Sequence, residues 1–176
     1  SIDPAHGGED SGSLGTDGSK EKDLSLAVGQ RLEKLLKMHQ DAPVVMTRDG
    51  DYALDMERRL EIVAEGQADV LLSLHAGAFF SGVNLYVQPQ TERDVPDGVI
   101  QENSSLKFAE ILRQELKRKG FDVHQVKELP VYPLGRGDLP RVLVEMGSLT
   151  NGVDLATLQD PVRQQDFARA LFDGLQ

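Results

Sequence analysis

Val70-Leu71-Leu72-Ser73-Leu74-His75 and Arg141-Val142-Leu143-Val144-Glu145 are two runs of one kind: a near-continuous apolar stretch that stops on an ionisable residue. A strand apolar on both sides is covered on both faces, the habit of parallel sheets flanked by helices. Residues 83–87 read as a further strand. Leu24, Ala27, Val28, Leu32, Leu35 and Leu36 recur at helical spacing across Lys20 to His39. A second helix is expected near Asp55 to Glu65, a third through Phe108, Leu112 and Leu116 up to Gly120, and a last one packing through Val162, Phe167, Leu171 and Leu175. Ile2-Asp3 reads as a strand end, Val44 to Thr47 as a short β-rich run and Phe121 to Val126 as strand-like. Helices alternating with strands in this way predict an α/β fold. We expect one three-layer domain over residues 1–176, with a mostly parallel twisted sheet of about six strands and helices on both faces.

The composition agrees. Apolar residues are 39% and charged residues 27% of 176, ordinary values for a folded domain, and the sequence contains no cysteine. Disulfides, thiolate metal sites and a cysteine nucleophile are thereby excluded. A net charge of −10 opposes loose binding to phosphate backbones, so no nucleic-acid partner is expected. No apolar run approaches the ~20 residues that cross a bilayer, so no membrane insertion is expected either.

In open α/β sheets ligands bind beyond the carboxyl ends of the strands. His6 follows the first strand, His75 ends the 70–74 strand and Glu145 ends the 141–144 strand. If these strands are parallel, all three side chains share one edge. Glu21 is a fourth candidate, because a Gly-rich loop from Pro4 to Ser19 leads back from His6 to the start of its helix. Two imidazoles and a carboxylate are a common ligand set for catalytic zinc, with the remaining carboxylate free to act as general base. Such a centre lets an amide be attacked without a protein nucleophile, in keeping with the missing cysteine and the missing G-x-S-x-G elbow.

Each residue also has a plainer interpretation. Glu21 in a first helical turn complements the helix dipole, and His39 and His124 read as structural or surface residues. Glu145 is the hardest to dismiss, since a carboxylate closing so apolar a strand is costly to bury unless paired, metal-bound or used. Asp49-Gly50-Asp51 lacks the spaced ligands of a calcium loop and reads as a turn. Gly18-Ser19-Lys20 fails the P-loop spacing.

Taken in order, Asp3-Pro4-Ala5-His6-Gly7-Gly8, Glu21-Lys22-Asp23, Thr47-Arg48 with Asp51, Arg59, Ser73-Leu74-His75-Ala76, Ser81-Gly82-Val83, Val144-Glu145-Met146-Gly147 and Leu149-Thr150-Asn151 resemble the zinc-dependent N-acetylmuramoyl-L-alanine amidases. The resemblance covers essentially the whole chain. It implies that His6, Glu21 and His75 bind Zn2+, that Glu145 is the catalytic carboxylate, and that peptidoglycan is the substrate. Ala5, Ala64 and Gly77 depart from the family's usual Gly, Asn, and Asn or Asp. Some members carry a long insertion whose helix blocks the zinc. Gln88 to Asn103, broken by Pro89, Pro96 and Gly98 and holding Glu92, Asp94 and Asp97, is too short for one and resembles the unblocked members.

Peptidoglycan lies outside the cytoplasmic membrane, so the resemblance implies a periplasmic or secreted, cell-wall location, with the export signal outside these residues. An acidic surface repelled by anionic wall polymers leaves room for a separate wall-binding module in the full-length protein. Two other functions stay open at this stage: a zinc peptidase or carboxypeptidase acting on stem peptides, and a catalytically inactive wall-binding domain.

Overall fold

The two apolar runs lie side by side. In the computed structural model, which describes residues 1–39, 43–89, 103–135 and 139–176, they become strands β2 (Leu71–Gly77) and β5 (Arg141–Ser148), paired in parallel with His75 opposite Glu145. Strand β1 (Ile2–Pro4) runs parallel to β2 on one side. Beyond β5 come β3 (Asn84–Val87), antiparallel to it, and β4 (Lys127–Glu128), parallel to β3. Among the described residues the sheet has five strands in the order β1-β2-β5-β3-β4, one fewer than expected. The stretch 44–47 contributes only an isolated bridge from Met46 to Ile2. Its ladder cannot lengthen because Pro4 offers no N–H and Arg48 turns in to bond the Pro4 carbonyl at 2.9 Å. Val123 likewise only bridges Val83, and regular pairing resumes at Lys127 rather than within 121–126.

The helices follow the apolar stripes. They are α1 (Glu21–His39), α2 (Met56–Glu65), α3 (Ser104–Arg118), α4 (Gly152–Gln159) and α5 (Pro161–Gly174). Asp55, Asn103, Asn151 and Asp160 cap the last four through side-chain oxygens that accept from backbone N–H groups, worth about 1 kcal/mol each. The sequence reading did not anticipate α4: eight residues are too few to show a periodic stripe. Val162, expected to pack, is exposed at the start of α5, while Phe167 and Leu171 are buried as expected.

The two sheet faces are covered unequally. Ile2, Leu72, Leu74, Val142, Val144, Leu85 and Val87 point to one side and form the main core with apolar residues of α1, α3 and α5. The other side carries Asp3, Ser73, His75, Glu145, Leu143 and Tyr86 by alternation along the strands. There α2 docks through Arg59, and the short 3-10 turn Tyr132–Leu134 seals a small cluster of Leu134, Leu143 and Tyr86. The expectation for Gln88 to Asn103 falls almost wholly on residues 90–102, which lie outside the described residues.

Candidate metal centre

His75 and Glu145 face each other near the carboxyl ends of β2 and β5. The chain leaving β1 reaches the same edge through His6, whose φ of +59° is a left-handed conformation that turns the backbone sharply. Arg59 holds that turn by donating to the His6 carbonyl at 2.6 Å. The same guanidinium pairs with buried Asp3 at 2.7 Å, while the Thr47 and Ser73 hydroxyls donate to the Asp3 carboxylate at 2.6 and 2.8 Å. Fully buried Arg48 donates to the carbonyls of Pro4, Ala5 and Lys22. Thr47, Arg48 and Arg59, singled out in the sequence, are therefore struts that fix the loop carrying His6.

Glu21 reaches the edge from the first residue of α1. One carboxylate oxygen accepts from the Ser13 N–H at 2.8 Å, and the other accepts from the Ala76 N–H at 3.0 Å. That second oxygen also lies 3.2 Å from His6 Nε2 and 3.0 Å from His75 Nδ1. The ligand-capable atoms of His6, Glu21 and His75 all lie within 4.8 Å of one another. The rings of His6 and His75 stand nearly perpendicular, with centroids 5.5 Å apart. Gly12 makes this closeness possible: a Cβ there would sit 2.5 Å from the His6 ring and 2.7 Å from a Glu21 oxygen.

The protonation states follow from these contacts. The hydrogen bond to Glu21 is the main cause that pushes His6 up to about 9; burial opposes it and Asp10 adds to it. Burial works to raise the Glu21 carboxyl, but bonds from His6, His75 and the Ser13 N–H outweigh it and hold the group well below the usual carboxylate range. Glu145 goes the other way, pushed up by burial first, with the negative charge of Glu21 adding to it. One edge thus holds a carboxylate kept ionised and another biased toward taking up a proton.

A metal ion fits this donor set. Two ring nitrogens converge on a single carboxylate oxygen, an arrangement in which a cation would replace the shared proton. Sequence reasoning missed Asp10, whose carboxylate lies 2.7 Å from His6 Nδ1, four residues on in the same loop. Its other oxygen accepts from the Gly12 N–H at 3.0 Å, so it orients the ring as carboxylates orient metal-binding imidazoles. The other two histidines stay apart: His39 packs on Phe172, and His124 contacts the Ser81 carbonyl. Asp51 belongs to a turn, as expected, and its carboxylate grips Lys22 Nζ at 2.7 Å and the Gly8 N–H at 2.8 Å.

Known proteins resemble this chain along its whole length. It is 34% identical to the uncharacterized protein YqiI of Bacillus subtilis over 99% of this chain and 81% of that protein. It is 32% identical to the N-acetylmuramoyl-L-alanine amidase LytC of the same organism over 98% of this chain, which corresponds to 34% of LytC. It matches 51% of the amidase AmiC of Escherichia coli. Among solved structures, the amidase AmiC2 of Nostoc punctiforme superposes with a TM-score of 0.86 at 28% identity, covering 99% of this chain and 92% of that one. The chain spans a third to a half of LytC and AmiC, and most of YqiI. The family model for N-acetylmuramoyl-L-alanine amidase matches residues 1–176, and the chain belongs to that family of hydrolases.

Proposed function

We propose that this domain hydrolyses the amide between N-acetylmuramic acid and L-alanine in peptidoglycan, with zinc held by His6, Glu21 and His75 and with Glu145 as the general base. The observation that carries the proposal is the convergence of the three donors within 4.8 Å beside a half-buried Glu145, in a chain matched by the amidase family over its full length. Zinc bound there would supply a Lewis acid that polarises the scissile carbonyl and acidifies water. The remaining chemistry belongs to the chain. Glu145, raised by burial, accepts the proton of the attacking water and passes it to the departing amide nitrogen, which leaves as the free amine of L-alanine. The Ser13 and Ala76 N–H groups keep Glu21 ionised and aimed, and Asp10 holds the His6 ring in place. Such a substrate puts the protein in the periplasm or the cell wall.

Digestion of purified sacculi followed by mass spectrometry tests this directly. The expected product is a peptide with a free amino-terminal L-alanine and an intact stem. Shortened stem peptides would identify a peptidase instead, and binding without any release would identify a wall-binding domain.

A further inference from the structure

Strands β3 and β5 pair only from Asn84, which lies opposite Glu145, to Tyr86. Past Glu145 the β5 chain carries an extra residue relative to its other neighbour: His75 pairs with Glu145, but Gly77 pairs with Ser148. That surplus is a β-bulge, a device that bends a strand and re-aims side chains beside active sites. It puts Met146 and Leu149, three positions apart, both into the main core, and Gly147 follows it with a φ of +155°. A ladder that ends here leaves backbone donors of both strands without strand partners, and buried donors need acceptors. Both go to one atom. Asp154 Oδ2, in the first turn of α4, accepts from the Gly82 N–H at 2.8 Å and from the Ser148 N–H at 2.9 Å. Asp154 is held in turn, because its own N–H donates to the Asn151 side chain at 3.1 Å. It also packs closely on the bulge: a Cβ at Gly147 would lie 3.2 Å from the Asp154 Cβ. On the other flank of β5, Leu149 N–H donates to the Gly77 carbonyl at 2.8 Å, and the Glu145 carboxylate rests against that same glycine.

We propose that Asp154 is a positioning residue for Glu145: it splices β3 to β5 where their ladder ends and so fixes the bulge that aims the general base. The inference rests on the amidase reading, and it adds a residue nine positions away on which the aim of the base depends. The role asks for geometry rather than charge. One oxygen has to accept two N–H groups at once, which a carboxylate oxygen and an amide oxygen can both do. A shift of about 1 Å in a catalytic group can cost ~10²-fold in rate, and a misaimed base slows proton transfer, so the loss falls on kcat.

Three substitutions separate geometry from charge. Asp154→Asn keeps an oxygen in place and should hold kcat on a soluble muropeptide within about twofold of the parent. Asp154→Glu keeps the charge but displaces the oxygens by a methylene, and Asp154→Ala removes them. Both should lower kcat about ten- to a hundredfold, with KM and zinc content unchanged. Amide hydrogen exchange on the chelated protein gives a readout without turnover: Gly82 and Ser148 should exchange at least about tenfold faster in Asp154→Glu and Asp154→Ala, and as slowly as in the parent in Asp154→Asn. The carboxyl carbon resonance of Glu145 should move in the same two variants. If Asp154→Ala does not fold, Asp154→Glu carries the comparison. Parent-like kcat in Asp154→Glu overturns the proposal, as does an Asp154→Asn as impaired as Asp154→Glu, which would assign the effect to charge. A loss of rate that follows zinc content or KM overturns it as well. A parent protein that hydrolyses no muropeptide would instead defeat the amidase reading, and the exchange rates and the Glu145 resonance would still decide the splice.

Discussion

Glu145 and Gly77 are matched at the level of single atoms. A Cβ at Gly77 would lie 2.7 Å from a Glu145 carboxylate oxygen, so the glycine lets the acid rest against the strand. Glu145→Gln keeps the shape and removes the base. We expect turnover on sacculi to fall at least ~10²-fold with zinc content and melting temperature nearly unchanged. His75→Ala should lower zinc content and hydrolysis together, because a missing ligand weakens the site and its Lewis acidity alike. Loss of metal in Glu145→Gln would make Glu145 a ligand and exchange its role with that of Glu21, and full zinc and full activity in His75→Ala would remove His75 from the site. That His6, His75 and Glu145 share one sheet edge was legible in the sequence because each follows or ends a strand of the parallel set. Asp10 was not: an acid in a polar loop looks solvated until the turn at His6 brings it onto the ring.

Elements deliver these residues through a buried polar frame rather than through propensity. Arg59 of α2 spans Asp3 of β1 and the carbonyls of Pro4 and His6, at 2.7, 2.8 and 2.6 Å. Arg59→Met keeps the stem and removes the charge, leaving the buried Asp3 side chain with only the Thr47 and Ser73 hydroxyls as partners. Breaking one side of such a pair costs about 3–5 kcal/mol, which in a domain of this size lowers the melting temperature by about 10 °C. Calorimetric melting checks the change, and a shift under about 2 °C would mean that the frame relaxes around the loss. The long strands and α1, α3 and α5 were legible because burial on one or both sides imposes a period on many residues. Helix α4 was not, because eight residues show no periodic stripe; nor was the lone bridge at Met46, where Pro4 and Arg48 cut the ladder short, nor the start of β4 only at Lys127 after the single bridge at Val123, both of them tertiary facts.

At the scale of the molecule, metal occupancy and stability are linked. Without metal, the His6 pKa is raised from 6.5 to about 9, so its pairing with Glu21 stabilises the fold fully below 6.5 and is lost as pH rises through about 9. Glu21 is depressed from 4.5, so its share is present above 4.5 and lost as pH falls through its lowered value. The chelated domain should therefore be most stable between about 4.5 and 6.5 and lose several degrees of melting temperature by pH 9. Zinc-loaded protein should lack the alkaline loss, because the ion takes the place of the shared proton. Parallel melting profiles with and without chelator would mean that His6 and Glu21 do not share that proton. The whole fold class was visible in the sequence; the unequal covering of the two sheet faces was not, because β2 and β5 are apolar along both sides of most of their length.

The first turn of α1 has a mechanical side. Glu21 and Lys22 are neighbours, yet one grips the histidine edge and the other ties the Asp51 turn and the Gly8 carbonyl, so two consecutive residues clasp both ends of the long glycine-rich loop. Backbone pairing between Gly7 and Asp10 and between Leu14 and Lys20 closes its middle. A segment of that length and glycine content is what a protease meets first on most proteins. Here the loop itself holds no lysine or arginine between Pro4 and Ser19, and of the two lysines that follow it Lys20 is exposed whereas buried Lys22 fastens the clasp, so trypsin is expected to cut after Lys22 only when the fold opens.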